Sequence, residues 1–261
     1  MARDPAGMQE RRNRILETLK SDGFVMVGTL AKSFGTTEVT IRSDLQALEE
    51  KGFLRRMAGG AVPLRGDEQS SLEVPRVTRF SDEKKRIANY AAKMIHNGER
   101  LFINSGSTTY IFAEALMEHR GLNIVTNSTQ IARLLGSVQS FHVILIGGEL
   151  NAYDGFTFGI DATDMLQRYR AGYAVLSLDG ISAESGISTL HAAEISVNRI
   201  MMEHADQVLF LADHTKLGRG GFSNFAEVGK GGILVTDDGA DRGAVSDLTG
   251  KGMTVLIAKE D

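Results

Sequence analysis

The chain has 261 residues, 42% of them hydrophobic and 24% charged, which excludes disordered and fibrous classes and leaves room for one small and one large domain. It has no cysteine, which excludes disulfides and thiolate chemistry; its longest apolar runs, such as residues 143–146, are too short for a bilayer; residues 1–7 lack a signal-peptide core, so a cytoplasmic location is expected. Net charge is −4, but residues 1–65 carry 11 Lys+Arg against 8 Asp+Glu while the rest carry 18 against 25, the asymmetry expected of a DNA-binding head on an acidic body.

Three short helices are expected first. Residues 9–20 place Ile15, Leu16 and Leu19 on one side and Arg11, Arg12 and Arg14 off it, and Asp22-Gly23 stops the pattern. Residues 27–34 bury Leu30, Ala31 and Phe34, and Gly35-Thr36 turns the chain, since glycine takes the left-handed conformation a reversal needs. Residues 37–51 open on hydroxyls that cap free amides, with Glu38 favourable against the helix dipole. Ile41, Leu45 and Leu48 form the core stripe of this third helix. Its opposite face presents Thr37, Val39, Thr40, Ser43 and Gln46, with Arg42 at the edge.

Short hydroxyl, amide and methyl groups on the N-terminal half of an exposed helix suit the reading of base edges in a major groove. Residues 53–62 then put two apolar-basic segments around paired glycines, a β-hairpin wing whose Arg55 and Arg56 reach phosphate or a minor groove. Together these make residues 1–62 a winged helix-turn-helix. The alternative is a three-helix packing module, which leaves the hydroxyl-rich face without a role.

Residues 63–80 are polar, hold Pro63 and Pro75, and show no period, so they read as a linker. Residues 81–261 form the second domain. Its first helix is expected to start at Ser81 as N-cap and run to a cap at Gly98. Strands are expected at 101–104, 123–126, 142–146, 173–178, 207–212, 233–236 and 253–258, alternating with helical stretches such as 108–118, 128–135, 161–169 and 192–204. That rhythm predicts a doubly wound, largely parallel α/β sheet.

Ligands of such sheets sit at the carboxyl ends of the strands. The first strand runs into Asn104-Ser105-Gly106-Ser107-Thr108-Thr109 and a helix, and successive amides with hydroxyls at a helix N-terminus make a cradle for phosphate. It is neither a dinucleotide fingerprint nor a nucleotide P-loop, for the glycine spacing and the P-loop lysine are missing. Thr126-Asn127, Gly147-Gly148, Asp179-Gly180 and Asp213-x-x-Lys216 follow the next strands. Lys216 suits a phosphate counter-charge, and Asp179 or Glu194 suits sugar hydroxyls. His191-x-x-Glu194 has the spacing of a metal pair but lacks a second half, so neither metal nor cofactor is expected. Gly218-Arg219-Gly220-Gly221 reads as a flexible basic cover or a turn.

Both halves resemble the DeoR family of bacterial regulators. In the head the likeness rests on Leu30-Ala31-x-x-Phe34, Glu38-Val39-Thr40-Ile41-Arg42-x-Asp44-Leu45-x-x-Leu48-Glu49 and Gly59-Gly60-Ala61. In the body it rests on Ser105-Gly106-x-Thr108-Thr109, Thr126-Asn127-Ser128, Gly147-Gly148, Asp179-Gly180 and Asp213-x-x-Lys216. Three positions depart from the pattern: Ser43 where a second arginine is usual, Ala58 where a histidine precedes the wing glycines, and Ser107 in the usual Gly-Thr-Thr element. The resemblance implies a repressor that binds double-stranded DNA, senses a phosphorylated sugar through a body similar in fold to ribose-5-phosphate isomerase, and works as a homo-oligomer. The rival expectation is a phosphosugar enzyme using Asp179, Glu194 and Lys216, for which the basic head has no use.

Overall fold

The computed structural model divides into two units, Met1–Ser71 and Leu72–Asp261. It describes residues 5–22, 24–57, 59–63, 80–152, 154–229 and 231–259. Most of the expected linker, residues 64–79, lies outside the described residues, as does Ala58.

In the first unit the elements are α1 (Pro5–Asp22), β1 (Val25–Met26), α2 (Val27–Ser33), α3 (Glu38–Glu50), β2 (Leu54–Met57) and β3 (Gly60–Pro63). Ile15 and Leu19 of α1, Leu30 and Ala31 of α2, and Ile41, Leu45 and Leu48 of α3 close one apolar core, with Leu16 and Phe34 against its margin. Between α2 and α3, Gly35 takes φ 60° and Thr36 N donates to Ala31 O at 3.0 Å. The wing is a three-stranded antiparallel sheet in the order β1-β3-β2. Sequence reasoning missed β1, because two residues show no period.

The arginines expected off the apolar face of α1 are not free. Arg11 Nε and Arg12 Nε donate to the two carboxylate oxygens of Asp44, at 2.6 and 2.8 Å, and Asp44 is only 2% exposed on the inner side of α3. Arg14 instead lies over the Phe34 ring, 4.8 Å from its centroid.

The second unit is built on a seven-stranded sheet. Its strands are β4 (Arg100–Ile103), β5 (Asn123–Thr126), β6 (His142–Leu145), β9 (Ala171–Ser177), β12 (Ala205–Leu211), β14 (Gly232–Asp237) and β15 (Thr254–Ala258). All neighbours pair parallel, in the order β15-β14-β12-β9-β4-β5-β6. The sequence dictates burial on both faces: in β4, Leu101 and Ile103 join one core while Phe102 joins the other, and in β12 Leu209 and Leu211 oppose Phe210. One layer holds α4 (Ser81–Ala92), α5 (Ser107–Ala115) and α6 (Thr129–Leu135); the other holds α7 (Ile160–Leu166), α8 (Ile195–Glu203) and α9 (Arg242–Gly250). This is a doubly wound α/β sheet.

Several local expectations need correction. Phe80, at φ 51°, occupies the N-cap of α4, and Ser81 is already helical. The helix stops at Ala92 because Met94 and Ile95 close tighter i→i−3 bonds, to Ala91 O and Ala92 O, leaving Gly98 in a separate turn. Residues 192–204 begin as a 3-10 turn (Ala192–Glu194) before α8. Three short antiparallel pairings were not expected: β7 (Glu149–Asn151) with β8 (Phe156–Phe158), and β11 (Gly186–Thr189) with both β10 (Gly180–Ser182) and β13 (Ser223–Ala226).

Candidate functional site

The outer face of α3 is the first candidate surface. Thr37 is its N-cap, accepting from Thr40 N at 3.2 Å, and the two threonine hydroxyls lie 2.9 Å apart. One of them therefore holds the helix start while the other is left half-buried at its rim. Val39, Arg42, Ser43 and Gln46 are exposed. Arg42 is drawn to Glu38 at 2.6 Å, and Gln46 donates to Glu50 at 3.1 Å. In the wing, Arg56 donates from both its backbone and Nε to Glu49, at 2.7 Å each, which lowers the Glu49 pKa. Arg55 is exposed and, among the described residues, has no ion-pair partner. Of the two wing arginines expected to reach DNA, Arg55 is thus the readier one.

The second candidate lies on the sheet. The loops after β12, β9, β4, β5 and β6 carry Asp213–Lys216, Asp179-Gly180, Asn104–Thr109, Thr126-Asn127 and Gly147-Gly148, and these five strands are consecutive neighbours. The order in which the chain adds strands reverses between the parallel neighbours β4 and β9, since the connections from β4 run outward through β5 to β6 and those from β9 run the other way through β12 to β14. Such a switch point leaves a crevice above the strand ends.

Hydrogen bonds concentrate at that crevice. Asn104 Nδ2 donates to Ser177 O at 3.1 Å and to Asn198 Oδ1 at 3.2 Å, while Ser177 N donates to Asn104 Oδ1 at 2.9 Å. Ser105 N donates to Asn127 Oδ1 at 3.0 Å, tying the β4 loop to the β5 loop. Ser105 Oγ donates to Glu194 Oε1, which also lies 3.4 Å from Asn127 Nδ2. Glu194 is 4% exposed. Burial pushes its pKa up to about 7 against the pull of Ser105 and Asn127, and Asp179 and Asp154 raise it further. Asp179 accepts from Leu190 N at 2.9 Å and faces Lys216 Nζ at 4.0 Å. The crevice thus holds an amide-and-hydroxyl end at α5 and a carboxyl-and-ammonium end at Glu194, Asp179 and Lys216.

Not every expected residue faces such a ligand. Thr109 is fully buried and its hydroxyl donates to Asn104 O and Gly106 O, holding the loop's own shape. Thr126 Oγ1 accepts from Ser128 N. Thr108 is buried, whereas Ser107 opens α5 half-exposed, where first-turn amides have no intrahelical acceptor. Gly148 packs against the carbonyl of Phe158, so its lack of a side chain serves the β7–β8 hairpin, while Gly147 is open. Four strand spacings separate β6 from β12, ~19 Å, so one small ligand does not span Gly147 and Lys216.

Sequence reasoning missed Ser177 and Asn198. Asn198 is buried beside Val197 and Met201, and a polar residue on the apolar stripe of α8 is a signal that was there to read. The loop Gly218–Gly221 is pinned: Gly221 N donates to Ser188 Oγ at 2.6 Å, and a Cβ on Gly180 would stand 2.8 Å from Arg219 O. His191 pairs with Asp154 at 3.4 Å, and among the described residues no three metal-type ligands gather. A groove of about 300 Å³ between α4 and the end of β15, lined by Lys85, Arg86, Lys93 and Lys259, shares no residue with the crevice.

A winged helix-turn-helix head and a parallel α/β body with a polar switch-point crevice define a two-part, DNA-binding sensor protein. Residues 11–65 match the DeoR-like helix-turn-helix domain, and residues 79–238 match the DeoR C terminal sensor domain. The chain belongs to the DeoR family of transcription regulators.

It is 33% identical over 231 residues to the glycerol-3-phosphate regulon repressor of Escherichia coli K12, covering 87% of this chain and 90% of that one. It is 30% identical over 253 residues to the transcriptional repressor GlcR of Bacillus subtilis, covering 97% of each. These relatives are repressors, and the chain is a regulator rather than an enzyme. Ribose 5-phosphate isomerase A of Methanocaldococcus jannaschii aligns at 16% identity with a TM-score of 0.39 over 52% of this chain. The chain spans about half, 54%, of that isomerase's length. Among the described residues no helix is long and apolar enough to cross a membrane.

Proposed function

We propose that the chain is a cytoplasmic repressor of a carbohydrate catabolic operon, released from its operator by a phosphorylated sugar or close derivative. What carries this reading is the crevice between β4 and β9. The amides and Ser107 hydroxyl at the start of α5 suit a phosphate, with Lys216 as its counter-charge, and Glu194 and Asp179 suit the sugar hydroxyls. Asn104, Ser105 and Asn127 keep the two ends in register. The name of the Escherichia coli relative, which refers to a glycerol-3-phosphate regulon, supports a phosphorylated small molecule as the signal.

In the head, Thr37, Val39, Thr40, Arg42, Ser43 and Gln46 enter the major groove, with Arg55 and Arg56 on the backbone. A homo-oligomer places two such helices on the half-sites of a repeat. The sugar phosphate favours an arrangement in which the helices no longer match them. A 100-fold release requires a coupling free energy of about 2.7 kcal/mol, within the ordinary allosteric range.

The test is binding of the purified full chain to the DNA upstream of its own gene, across a salt series and a panel of sugar phosphates. Salt-sensitive binding abolished by one phosphosugar is the expected result. Binding that no phosphosugar alters overturns the effector assignment. An effector response left intact by Lys216→Ala and by Ser107→Ala places the pocket elsewhere.

A further inference from the structure

We infer that Val39 reads the C5-methyl group of a thymine in each half-site of the operator. The inference rests on the DNA-binding reading of α3 and specifies its chemistry. Val39 is 72% exposed, the most exposed large hydrophobic residue of the described head.

At ~100° per residue the helix geometry puts Val39 at the centre of the outward face, nearly opposite Ile41 and Leu48 and flanked by Ser43 and Gln46. Folding gives it no reason to be there. It touches neither the core of the head nor its margin. A β-branched side chain is also a poor choice for an exposed helix position, where loss of χ1 freedom disfavours it.

In the unbound head the groups around Val39 hold one another in exposed contacts. Glu38 and Arg42, one turn apart, neutralise each other at 2.6 Å, Thr37 caps Thr40, and Gln46 leans on Glu50. Val39 itself has no donor or acceptor to offer the polar edge of a guanine or an adenine. Ser43, one turn after Val39, is short enough to let the helix approach the groove floor. An isopropyl group presented there has one apolar partner on a base edge in the major groove, the thymine methyl.

The experiment starts from sequences that the full chain enriches from a random duplex pool. Each thymine of an enriched site is replaced in turn by deoxyuridine, which removes only the methyl group, and affinity is read by fluorescence anisotropy. One thymine per half-site is expected to lose about fourfold in affinity on replacement, the equivalent of ~0.8 kcal/mol for one buried methyl-sized group. In Val39→Ala that thymine and deoxyuridine bind alike, while Ser43→Ala keeps the difference. A Val39→Ala protein that still distinguishes them, or a site in which no thymine is sensitive, overturns the inference and leaves DNA binding standing. Failure to enrich any sequence overturns the DNA-binding role of this face together with it.

Discussion

Gly106 and Ser177 meet across the switch point so closely that a Cβ on Gly106 would stand 2.9 Å from the Ser177 Cβ and collide with its hydroxyl. Ser177 Oγ there donates to Ser105 O at 3.0 Å, so the contact couples the end of β9 to the loop after β4. Gly106→Ala is expected to push Ser177 away, cost about 1–3 kcal/mol as an overpacked site, and weaken the response to effector. Gly147→Ala is the control for stability, since nothing lies within 4 Å of a Cβ there. Thermal denaturation of both variants checks the pair; equal melting temperatures would remove the close approach as the reason for glycine at position 106.

Asp44 holds α1 to α3 through two guanidiniums. Its side chain is 3% exposed, while those of Arg11 and Arg12 are 23% and 12% exposed. Asp44→Ala leaves two partly buried cations without their acceptor and is expected to cost about 3 kcal/mol, the low end for breaking a buried pair. Arg42→Ala removes only an exposed i,i+4 pair and should cost under about 0.5 kcal/mol. Chemical denaturation followed by helical signal separates the two. Similar small losses would mean that Arg11 and Arg12 are as solvated as their position in the sequence implied.

The helix and strand order of both units was legible because apolar spacing dictates it. Leu30, Ala31, Ile41, Leu45 and Leu48 fall on faces that can only be inward, and the strands of the seven-stranded sheet are largely apolar runs of strand length. What was not legible depends on pairing across the chain. Nothing local to Arg11 or Arg12 reveals that Asp44, more than thirty positions on, accepts from both. The short hairpins were hidden because three or four residues carry too little period. The candidate crevice was legible as a set of strand ends. Its centre was not, because strand order brings β4 beside β9 and only that adjacency makes Ser177 and Asn198 neighbours of Asn104.

Ser188 is the fastening of the glycine-rich loop that the sequence alone presents as flexible. It is buried, donates to Gly180 O at 2.8 Å and accepts from Gly221 N at 2.6 Å. Ser188→Ala removes both bonds and leaves the Gly221 amide without its acceptor, a loss of about 1–3 kcal/mol for a buried donor. Faster hydrogen exchange at Gly221 and earlier proteolysis after Arg219 are expected, with the sheet itself unchanged. Unchanged exchange at Gly221 would show that the contacts of Gly180 with the loop backbone suffice to hold it.

Glu194 gives the second unit a pH dependence of definite sign. Its carboxyl group, buried beside Ser105 and Asn127, titrates at about 7 in the folded protein against 4.5 for an ordinary glutamate. Between those two values the folded state holds a proton that the unfolded chain has released, so stability must fall as pH rises. The contribution is fully present below pH 4.5, is lost progressively up to about 7, and then levels off. At 1.36 kcal/mol per unit, the whole span amounts to roughly 3 kcal/mol. Glu194→Gln keeps an amide that can bond Ser105 and Asn127 and cannot ionise. Urea midpoints of the two proteins, measured from pH 5 to pH 8, should therefore diverge in favour of the glutamine variant with a slope that flattens above neutrality. Parallel curves would mean that Glu194 is already ionised throughout, and the proton it is expected to hold near Ser105 would have to be given up.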